Sequence, residues 1–466
     1  MKLSHNNSAY TLPKTETSSK EPLDYKTILY QKETAKALEN FQVTGQPCAL
    51  QLMKNVAAVK IATAYGNEQT DRLPSYISHA IQEAGQYILE GHCDDQFPTD
   101  QIQGGAGTSM HMNVNEVMAT YATLLLEQKT TVHPIDHVNM GQSTNDVIPT
   151  AMKITVLQLL DTLIATYTTL HTGLEQKAKE FADVIKVGRT HLQDAVPITL
   201  GQEFNAHATM AQRDLERIQS VKRHLYSVNI GGTAVGTGLT ASRAYIQETL
   251  QKLRQITGYQ LVSASDLVDA TQYPDAFLEV SAILTVLAAN QIKMMNDIRL
   301  MASGPRAGLG EITLEARQKG SSIMPGKINP VMPELVNQVC FQVVGNHQTI
   351  LMAIQAGQFE LNVMLPVVAK NLFESITVLN NGLHQFNTYC LHSIKANRAV
   401  CKQAFDTSYA AATALSPNIG YDKTTKLVER VVTSGDTFEH VVVEENVMTQ
   451  QEYSAFITSK KLTEIR

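Results

Sequence analysis

The amino-acid sequence predicts a mainly α-helical protein whose centre is a bundle of long helices. The first observation is the placement of proline, which is missing from 150–196, 198–273, 275–304 and 334–365. Since a proline in a helix interior costs about 3 kcal/mol, long helices have room in these stretches. The second is that apolar residues recur there every three or four positions. The third is that the middle of the chain lacks the short alternating runs, bounded by turns, that predict strands.

Two of the proline-free stretches carry a continuous apolar seam. The first seam runs over 156–181, and the second runs over 277–298 with Gln291 as its one polar member. Such seams pack against parallel or antiparallel neighbouring helices. We expect the second helix to end at 303–305, where Ser, Gly and Pro follow one another. Helices this apolar indicate burial on several sides, within one chain or in an oligomer.

The pattern divides the chain into three domains. A polar arm is expected at 1–22, and a loop at 320–330 interrupts the central part. Segments become shorter near the C-terminus, where the turn SPNIGYD occupies 416–422. The predicted domains are a mostly helical N-terminal domain at 1–148, a central helical bundle at 149–399 and a small C-terminal domain at 400–466.

Composition and charge exclude several classes of protein. The 466 residues include 38 Lys and Arg against 44 Asp and Glu, for a formal charge of -6. This balance gives no overall electrostatic reason to bind nucleic acid or an acidic membrane, so neither is expected as a partner. The first residues lack the apolar core of a secretory signal, and no run has the length and purity of a membrane span, which predicts a soluble cytoplasmic protein. The five cysteines form no CxxC pair, and buried free thiols are expected.

Four polar segments place hydroxyl or amide side chains beside glycines, and the first is GGAGTSMHMNVNE at 104–116. Its Thr108 precedes a region that should be helical. A hydroxyl in this position can cap the helix, or it can share the positive field of the helix N-terminus with a bound anion. Both interpretations stay open for this segment.

The second segment, HVNMGQSTNDVIPT, has Ser143, Thr144 and Asn145 in a row. The long helix is expected to begin after Pro149, with Asp146 as a natural cap. Three hydrogen-bonding side chains exceed what one cap requires. They therefore indicate a site for a carboxylate at the entry to this helix.

The third and fourth segments add a histidine and a lysine. GRTHLQDAVPITLGQE contains Thr190 and His191, and histidine can exchange protons near neutral pH, although most single histidines are structural. GSSIMPGKINP at 320–330 is rich in glycine and proline, which predicts a loop. Lys327 offers this loop a compact positive charge and Asn329 an amide, so the loop suits an anionic substrate.

Two further patterns carry weaker signals. GTGLTA at 236–241 fits the loose dinucleotide pattern G-x-G-x-x-A, but helical surroundings offer no βαβ unit, and a loop between helices is expected. His133 and His137 have the spacing of two metal ligands on a helix. Pro134 between them and the missing further ligands argue against a metal site.

In order and in wording, the four polar segments resemble the active-site segments of the aspartase/fumarase superfamily, over most of 103–422. The phrases GGTAVGTGL, NDIRLMASGPRAGL and FELNVM add to the resemblance. The fold that it implies is the three-domain aspartase/fumarase-like fold with a central long-helix bundle. The reaction that it implies is a reversible elimination from a 1,4-dicarboxylate to fumarate or a fumaryl product.

The resemblance also implies a role for each matching residue. Ser321 matches the catalytic base, which removes a proton from the carbon beside a carboxylate. His191 matches a catalytic histidine, and Glu334 matches the carboxylate that orients the family histidine. The positions matched to substrate binding are Thr108, Ser143, Thr144, Asn145, Thr190, Lys327, Asn329 and Met324. A serine is a weak base, so its alkoxide needs the charge of Lys327 and backbone N–H groups in a closed site.

The leaving group separates the members of the superfamily. The segments QSTND, NPVMPE and DLVDATQ resemble the corresponding sequences of the ammonia-lyases that act on aspartate more than those of the fumarases. We therefore expect a carbon–nitrogen lyase that converts L-aspartate into fumarate and ammonia. Two alternatives stay open, namely a class II fumarase that removes water from malate and a non-catalytic homologue with a structural or regulatory role.

Assembly and cofactors follow from the resemblance alone. It implies a homotetramer whose active sites are each built from segments of three subunits. The expected partner is a small dicarboxylate substrate. No organic cofactor or metal is required by the implied chemistry, and magnesium stays open as an activator.

Overall fold

A computed structural model describes residues 28–457 and 462–463 of the chain. The polar arm expected at 1–22 lies outside the described residues. Within the described residues, sixteen α-helices and six short strands confirm the mainly α fold class. The helices are α1 Lys32–Asn40, α2 Leu50–Gln69, α3 Ser75–Leu89, α4 Thr108–Leu125, α5 Thr144–Glu180, α6 Leu200–Leu225, α7 Arg243–Thr257, α8 Leu267–Gln272, α9 Asp275–Met301, α10 Val331–Gln355, α11 Leu365–Tyr389, α12 Arg398–Thr407, α13 Ala412–Ile419, α14 Tyr421–Ser434, α15 Phe438–Glu444 and α16 Gln450–Phe456. The strands are β1 Ile185–Thr190, β2 Gln193–Thr199, β3 Ser227–Val228, β4 Val262–Ser263, β5 Ile312–Thr313 and β6 Lys395–Ala396.

Five long helices, α5, α6, α9, α10 and α11, pack against one another as the central bundle. Both predicted apolar seams face its core, and α9 ends at Met301, just before the predicted stop at 303–305. The buried seam residues are Val156, Leu160, Leu163, Tyr167, Leu170, Leu174, Phe181, Phe277, Val280, Leu284, Leu287, Met294 and Ile298. The three- and four-residue spacing therefore predicted the buried faces correctly.

The bundle has two distinct ends because consecutive helices run antiparallel. A hairpin leads α5 back into α6, and His207 near the start of α6 lies 4.0 Å from Asp297 near the end of α9. Asn337 near the start of α10 donates to Asn296 of α9 at 2.9 Å. One end of the bundle therefore contains the end of α5, the start of α6, the end of α9 and the start of α10, and we call it the hairpin end. We call the opposite end, where α5 begins at Thr144, the Thr144 end.

A β-hairpin at 185–199 corrects the expectation that the middle of the chain contains no strands. β1 and β2 pair antiparallel, with Thr190 opposite Gln193. The two residues of the turn, His191 and Leu192, have φ angles of 55° and 59°. Positive φ at both positions is typical of a type I′ turn, which usually contains Asn or Gly. Since neither residue is present here, the sequence carried no hairpin signal.

The expectation that α5 begins after Pro149 is wrong, because α5 begins at Thr144 and contains this proline. Proline has no N–H, so the carbonyl of Asn145, four residues earlier, loses its helical hydrogen bond. The side chain of Asn229 replaces the missing donor, with Nδ2 2.9 Å from that carbonyl oxygen. A partner from outside the helix thus accommodates the proline, and such a partner cannot be identified from local sequence.

A small parallel βαβ unit surrounds α7, although none was expected around 236–241. Strands β3 and β4 flank α7 and pair in parallel over two residues each. The segment 236–241 itself is a loop that leads into α7, as predicted. A Cβ at Gly236 would lie 2.4 Å from the Leu267 carbonyl oxygen, so this glycine permits close packing at the start of α8.

The C-terminal helices enclose a second, smaller hydrophobic cluster. Phe405, Leu415 and Phe438 belong to it, and Val187 of the β1–β2 hairpin packs against them. The hairpin thereby connects the C-terminal helices to the bundle. The proposed division at 1–148, 149–399 and 400–466 stays a prediction, and its first boundary falls within α5.

Within the described part of the chain, two helices, α5 and α9, are long and apolar enough to cross a membrane by length and composition alone. In the fold, 72% of the most apolar window of α5 is buried, against 39% for α9. α5 is therefore a core helix of the bundle. α9 leaves apolar side chains such as Val286 and Leu300 exposed on the surface of the single chain.

All five cysteines are free and buried, as predicted. Burial raises the pKa of the Cys340 thiol to about 12 and that of the Cys48 thiol to about 11, because a thiolate is poorly solvated in the protein interior. These thiols therefore act as packing groups rather than nucleophiles.

Removal of the Asn229 side chain should destabilise the fold, because the Asn145 carbonyl loses a hydrogen-bond donor. We expect Asn229→Ala to lower the free energy of unfolding by about 1–3 kcal/mol, because a partly buried carbonyl loses its replacement donor. Thermal unfolding followed by circular dichroism measures the change. The same substitution should cost less in a Pro149→Ala background, where the helical N–H is restored, and exposed Asn205→Ala should have little effect. Equal losses with and without the proline would contradict this account.

Candidate active site

Two helix N-termini meet at the Thr144 end of the bundle. α4 begins at Thr108 and α5 at Thr144, and Nδ1 of His111, in the first turn of α4, lies 2.8 Å from the Thr144 hydroxyl. Gly107 permits the approach, since a Cβ there would lie 3.3 Å from Ile148 of α5. Each helix brings the positive end of its dipole. The arrangement is therefore suited to bind an anion.

Among the predicted binding residues at these N-termini, Ser143 keeps a donor and Asn145 an acceptor for a ligand, whereas Thr108 gives its hydroxyl proton to its own chain. Thr108 is exposed, and its Oγ1 donates to the Gly105 carbonyl at 2.7 Å. Ser143 is the N-cap of α5, and its Oγ accepts from the Asn145 N–H at 3.2 Å, which leaves the hydroxyl proton for another acceptor. Asn145 Nδ2 donates to the Ala234 carbonyl at 2.7 Å, which leaves its Oδ1 as an acceptor.

The expectation that Asp146 caps α5 is corrected by a capping box, in which Ser143 is the cap and Asp146 its reciprocal partner. Asp146 Oδ1 accepts from the Ser143 N–H at 3.0 Å. Its Oδ2 accepts from the N–H groups of Gly231 and Thr233 at 3.1 and 3.0 Å. Burial raises the pKa of this carboxyl to about 6, against the opposing effect of these hydrogen bonds. Asp146 thus ties the loop before α7 to the first turn of α5.

A buried lysine and histidine lie behind Thr144, and sequence reasoning did not select either. Lys60 of α2 is fully buried, and its Nζ lies 2.5 Å from His111 Nε2. Nζ also donates to Asn139 Oδ1 and Gln142 Oε1, each at 2.7 Å. Burial lowers the pKa of Lys60 far below its usual value, and burial with the neighbouring lysine does the same for His111. The available sequence signal was a lysine within the otherwise apolar stretch VAAVKIATA.

The loop at 320–330 closes on itself at the hairpin end of the bundle. The Gly320 N–H donates to the Lys327 carbonyl at 2.9 Å, and Asn329 Nδ2 donates to the Gly320 carbonyl at 2.7 Å. Helix α10 follows directly at Val331. The predicted loop therefore has a defined shape, and Asn329 already uses one of its donors to maintain it.

Within this loop, Ser321 Oγ accepts two backbone hydrogen bonds. The donors are the N–H groups of Ile323 and Met324, at 3.1 and 3.0 Å. Two donors on one oxygen favour its ionised form, which is what a serine base requires. The side chains of Met324 and Lys327 are exposed and have room to reach a ligand or a neighbouring copy of the chain.

Thr190 and His191 are exposed at the tip of the β1–β2 hairpin. Leu192 next to them has a φ of 59°, a left-handed conformation that costs about 1–2 kcal/mol for a residue with a Cβ. Such strain persists where the surrounding structure maintains it, and it is enriched at binding sites. The turn leaves His191 exposed on the surface of its own chain.

A single chain keeps the predicted site residues in two groups. Thr144 and Glu180 are the ends of α5, which places them about 54 Å apart. From Glu180 to Thr190 the chain can return by at most about 36 Å. Thr190 therefore stays at least roughly 18 Å from Thr144, beyond the reach of one small dicarboxylate. The Ser321 loop, held between α9 and α10, lies at the hairpin end with Thr190.

Glu334 lies in the first turn of α10, near the hairpin end. Its carboxylate is 3.9 Å from Arg299 of α9. Within the described part of one chain, no hydrogen bond joins Glu334 to His191. The implied role of Glu334 in orienting this histidine stays a prediction.

Buried ion pairs attach the hairpin to the segment that precedes the Ser321 loop. Glu311 is buried, and its carboxylate oxygens lie 2.6 Å from Lys186 Nζ and 2.6 Å from Arg189 Nη1. These residues line a cavity of about 470 Å³ between the hairpin, α6 and α9. The cavity contains none of the predicted site residues, so we interpret it as part of the support for the hairpin.

The two histidines of HPIDH use their ring nitrogens for local capping. The His133 N–H donates to His137 Nδ1 at 2.9 Å, and His133 Nδ1 accepts from Ile135 and Asp136 at 3.3 and 3.0 Å. Among the described residues, no group of three or more His, Cys, Asp or Glu is placed to hold a metal ion. Capping therefore explains this pair of histidines.

Comparison with protein families decides which family the chain represents. A family model described as "Lyase" matches residues 25–345, and one described as "Fumarase C C-terminus" matches residues 412–464. The chain belongs to the aspartase/fumarase superfamily. The predicted membership in this superfamily is thus confirmed.

Relatives within the superfamily match nearly the whole chain. The aspartate ammonia-lyase of Bacillus subtilis is 48% identical over 440 residues, covering 94% of this chain and 93% of the relative. A solved fumarate lyase:delta crystallin from Brucella melitensis bound to cobalt is 40% identical, with a TM-score of 0.89 over 93% of this chain and 95% of that chain. A class II fumarase from Schistosoma mansoni is 34% identical, with a TM-score of 0.88 over 93% of this chain and 95% of that chain. The fold is therefore that of the superfamily.

Replacement of Asp146 by asparagine should loosen the Thr144 end. The Asp146 carboxylate accepts hydrogen bonds from three backbone N–H groups. In asparagine, one of the two oxygens is replaced by an NH2 group, which faces at least one of these donors and cannot accept from it. We therefore expect Asp146→Asn to cost about 1–3 kcal/mol of stability. Thermal unfolding measures this cost. Asp183→Asn is the matched control, because Asp183 pairs with Arg398 at 2.9 Å on the surface and should contribute less than about 1 kcal/mol. An Asp146→Asn protein as stable as the wild type would contradict the anchoring role.

Proposed function

We propose that the protein is a carbon–nitrogen lyase that converts L-aspartate reversibly into fumarate and ammonia. The observation that carries this proposal is 48% identity over 440 residues to the Bacillus subtilis aspartate ammonia-lyase. Identity to the class II fumarase is lower, at 34%. The phrases QSTND, NPVMPE and DLVDATQ favour the same choice.

The reaction requires a base that removes a proton from carbon 3 of aspartate. The Ser321 alkoxide takes this proton, and the electrons of the C–H bond move into the adjacent carboxylate to give an enolate-like dianion. These electrons then form the C2–C3 double bond while the C–N bond breaks and its electron pair leaves with ammonia. The two backbone N–H groups on Ser321 Oγ support the alkoxide, because they favour its negative charge.

The dianion is the species that the site has to stabilise. Thr108, Ser143 and Thr144 are assigned to the carboxylate that becomes enolate-like, since they lie at two helix N-termini whose donors and dipoles favour negative charge. Preorganised donors of this kind contribute about a hundredfold or more to the rate. The remaining assigned binding residues are Asn145 near the amino group, Thr190, Lys327 and Asn329 at the second carboxylate, and Met324 in the closing loop. His191, oriented by Glu334, is assigned to proton exchange beside the leaving group.

Elimination of water from malate is the second candidate, which the structural likeness to a class II fumarase favours. The same donors would stabilise the same dianion. The two substrates differ in whether the site accepts hydrogen bonds from an ammonium group. Asn145 Oδ1 is free to accept, because its Nδ2 is used by Ala234, and this orientation supports aspartate.

We further propose a homotetramer in which each active site combines segments of three subunits. The separation along α5 supports sharing between at least two copies, since a substrate can contact both Thr144 and Ser321 when different copies bring the two ends of their bundles together. The third subunit and the tetramer are proposed from the family resemblance. The exposed apolar side chains of α9 offer a surface for such contacts. The proposed enzyme works in the cytoplasm without an organic cofactor, and magnesium is proposed only as an activator.

Ser321→Ala should abolish most of the activity. We expect the rate of fumarate formation from L-aspartate, followed by ultraviolet absorbance, to fall at least about a hundredfold, because a general base is lost. Ser322→Ala is the matched control and should retain most of the activity, since the adjacent serine is not assigned to the reaction.

Two results would count against the proposed function. One is equal activity in wild type and Ser321→Ala, which would exclude this serine as the base. The other is a higher rate with malate than with aspartate in the same preparation, which would favour the fumarase alternative. A difference of about 1.4 kcal/mol in transition-state stabilisation appears as roughly tenfold in rate.

Mixed oligomers test whether the sites are shared. Ser321→Ala and Thr144→Val proteins should each be inactive, because each lacks one assigned residue in every site. After the two are dissociated, mixed and reassembled, up to about a quarter of the sites should contain both wild-type residues if these come from different subunits. Recovery of activity, together with a mass near four chains by light scattering, is the expected result. A mixture that assembles but stays inactive would contradict shared sites.

A further inference from the structure

The buried His111 controls the direction in which the Thr144 hydroxyl donates its proton. Under the proposed function it donates to a substrate carboxylate, and a hydroxyl has only one proton to donate. His111 Nδ1 lies 2.8 Å from Thr144 Oγ1. If this nitrogen accepts, the proton of Thr144 points away from the substrate, and if it donates, the proton is available to the substrate. The tautomer of His111 therefore matters for binding.

The surroundings of Lys60 restrict the tautomer of His111. Gln142 Nε2 donates to the carbonyls of Val138 and Met140 at 3.0 and 3.1 Å, so its Oε1 faces Lys60. Asn139 Nδ2 is 3.4 Å from the Gln142 carbonyl, which turns its Oδ1 toward Lys60 as well. Both amide oxygens can only accept. Lys60 thus gives two of its protons to amides in either charge state, and its third position is the one toward His111.

Two arrangements satisfy every group in this chain of hydrogen bonds. In the first, Lys60 is an ammonium whose third proton goes to His111 Nε2, so that Nδ1–H donates to Thr144 and the Thr144 proton is free for substrate. In the second, Lys60 is an amine that accepts from Nε2–H, so that Nδ1 accepts from the Thr144 hydroxyl. The Thr144 oxygen then presents only lone pairs to the site, which repel a carboxylate.

We propose that Lys60 and His111 are positioning residues that couple carboxylate binding at Thr144 to the uptake of one proton by Lys60. The proposal rests on the proposed substrate-binding role of Thr144. Thr144 passes its proton to His111 Nδ1, His111 passes its Nε2 proton to Lys60, and a proton from solvent replaces the one on Thr144. One solvent proton is bound in total, and no bond to carbon changes.

The charges that face Lys60 are consistent with this coupling. In the free protein, burial favours the neutral amine, and the pKa of Lys60 is well below its usual value. The titratable groups facing it are His111 on α4 and Asp146 on α5, of which Asp146 favours the ammonium. A bound carboxylate adds a second negative charge and shifts the balance toward the ammonium. Affinity for a dicarboxylate should therefore fall as the pH rises, by at most about tenfold per pH unit.

Titration calorimetry of the full-length protein with succinate measures the coupling directly. Succinate is a four-carbon dicarboxylate without a leaving group, so it binds without elimination. Titrations at one pH in two buffers of different ionisation enthalpy give the number of protons taken up, and a series between about pH 6 and 9 locates the maximum. We expect the maximal uptake to be larger by up to about one proton in wild type than in Lys60→Met.

A second buried lysine provides the matched control. Lys153 of α5 is buried, and its Nζ donates to the Ser227 carbonyl at 2.6 Å without contacting His111. Lys153→Met should therefore keep the wild-type proton uptake. His111→Asn is the second relay variant, because an amide cannot pass a proton from Thr144 to Lys60, and it should lose the uptake while unfolding cooperatively.

The outcomes separate the relay from the proposed function. Wild-type protein that binds succinate without proton uptake at every pH would overturn the relay. Wild-type uptake in folded Lys60→Met or in folded His111→Asn would overturn it as well, so failure of one variant to fold leaves the other decisive. Thr144→Val that binds succinate as tightly as wild type would instead refute the assigned role of Thr144.

Discussion

The unbroken length of α5 is the constraint on which the rest of the structure depends. Its 37 residues extend from the paired helix N-termini at Thr144 to the β1–β2 hairpin, and its apolar seam forms the centre of the bundle core. Because the helix does not bend back, one chain holds its polar segments at two distant ends. This distance supports the proposed sharing of sites, in which different copies bring the two groups of residues to one substrate.

The two halves of the candidate site are built in different ways. The Thr144 half lies on two long helices and is braced by buried groups, namely Asp146 in the capping box and Lys60 behind His111. The Ser321 half lies on an exposed loop that is shaped by its own backbone hydrogen bonds. A rigid half can hold a carboxylate in place, while a loop half can open for substrate and close for chemistry. Lys60 is accordingly buried behind the Thr144 half, whereas Lys327 is exposed on the loop half.

Features that depend on local pattern could be predicted from the sequence, and features that depend on distant partners could not. The seams of α5 and α9 and the loop at 320–330 follow from residue spacing and from glycine and proline content. Pro149 was misjudged because its tolerance depends on Asn229. The hairpin was missed because His191 and Leu192 occupy turn positions that other residue types usually fill. The role of Lys60 could not be predicted, because burial of a charged side chain is decided by tertiary packing.

The length of α5 also restricts where residues can be inserted in evolution. One inserted residue would move the hairpin by about 1.5 Å along the axis and turn it by about 100° relative to Thr144, since an α-helix has 3.6 residues per turn. The hairpin would then be misdirected within the proposed assembly. Insertions in surface loops cost far less, because loop closure depends only weakly on loop length. Variation in length among homologous chains should therefore accumulate in loops, while the span from Thr144 to Glu180 stays constant.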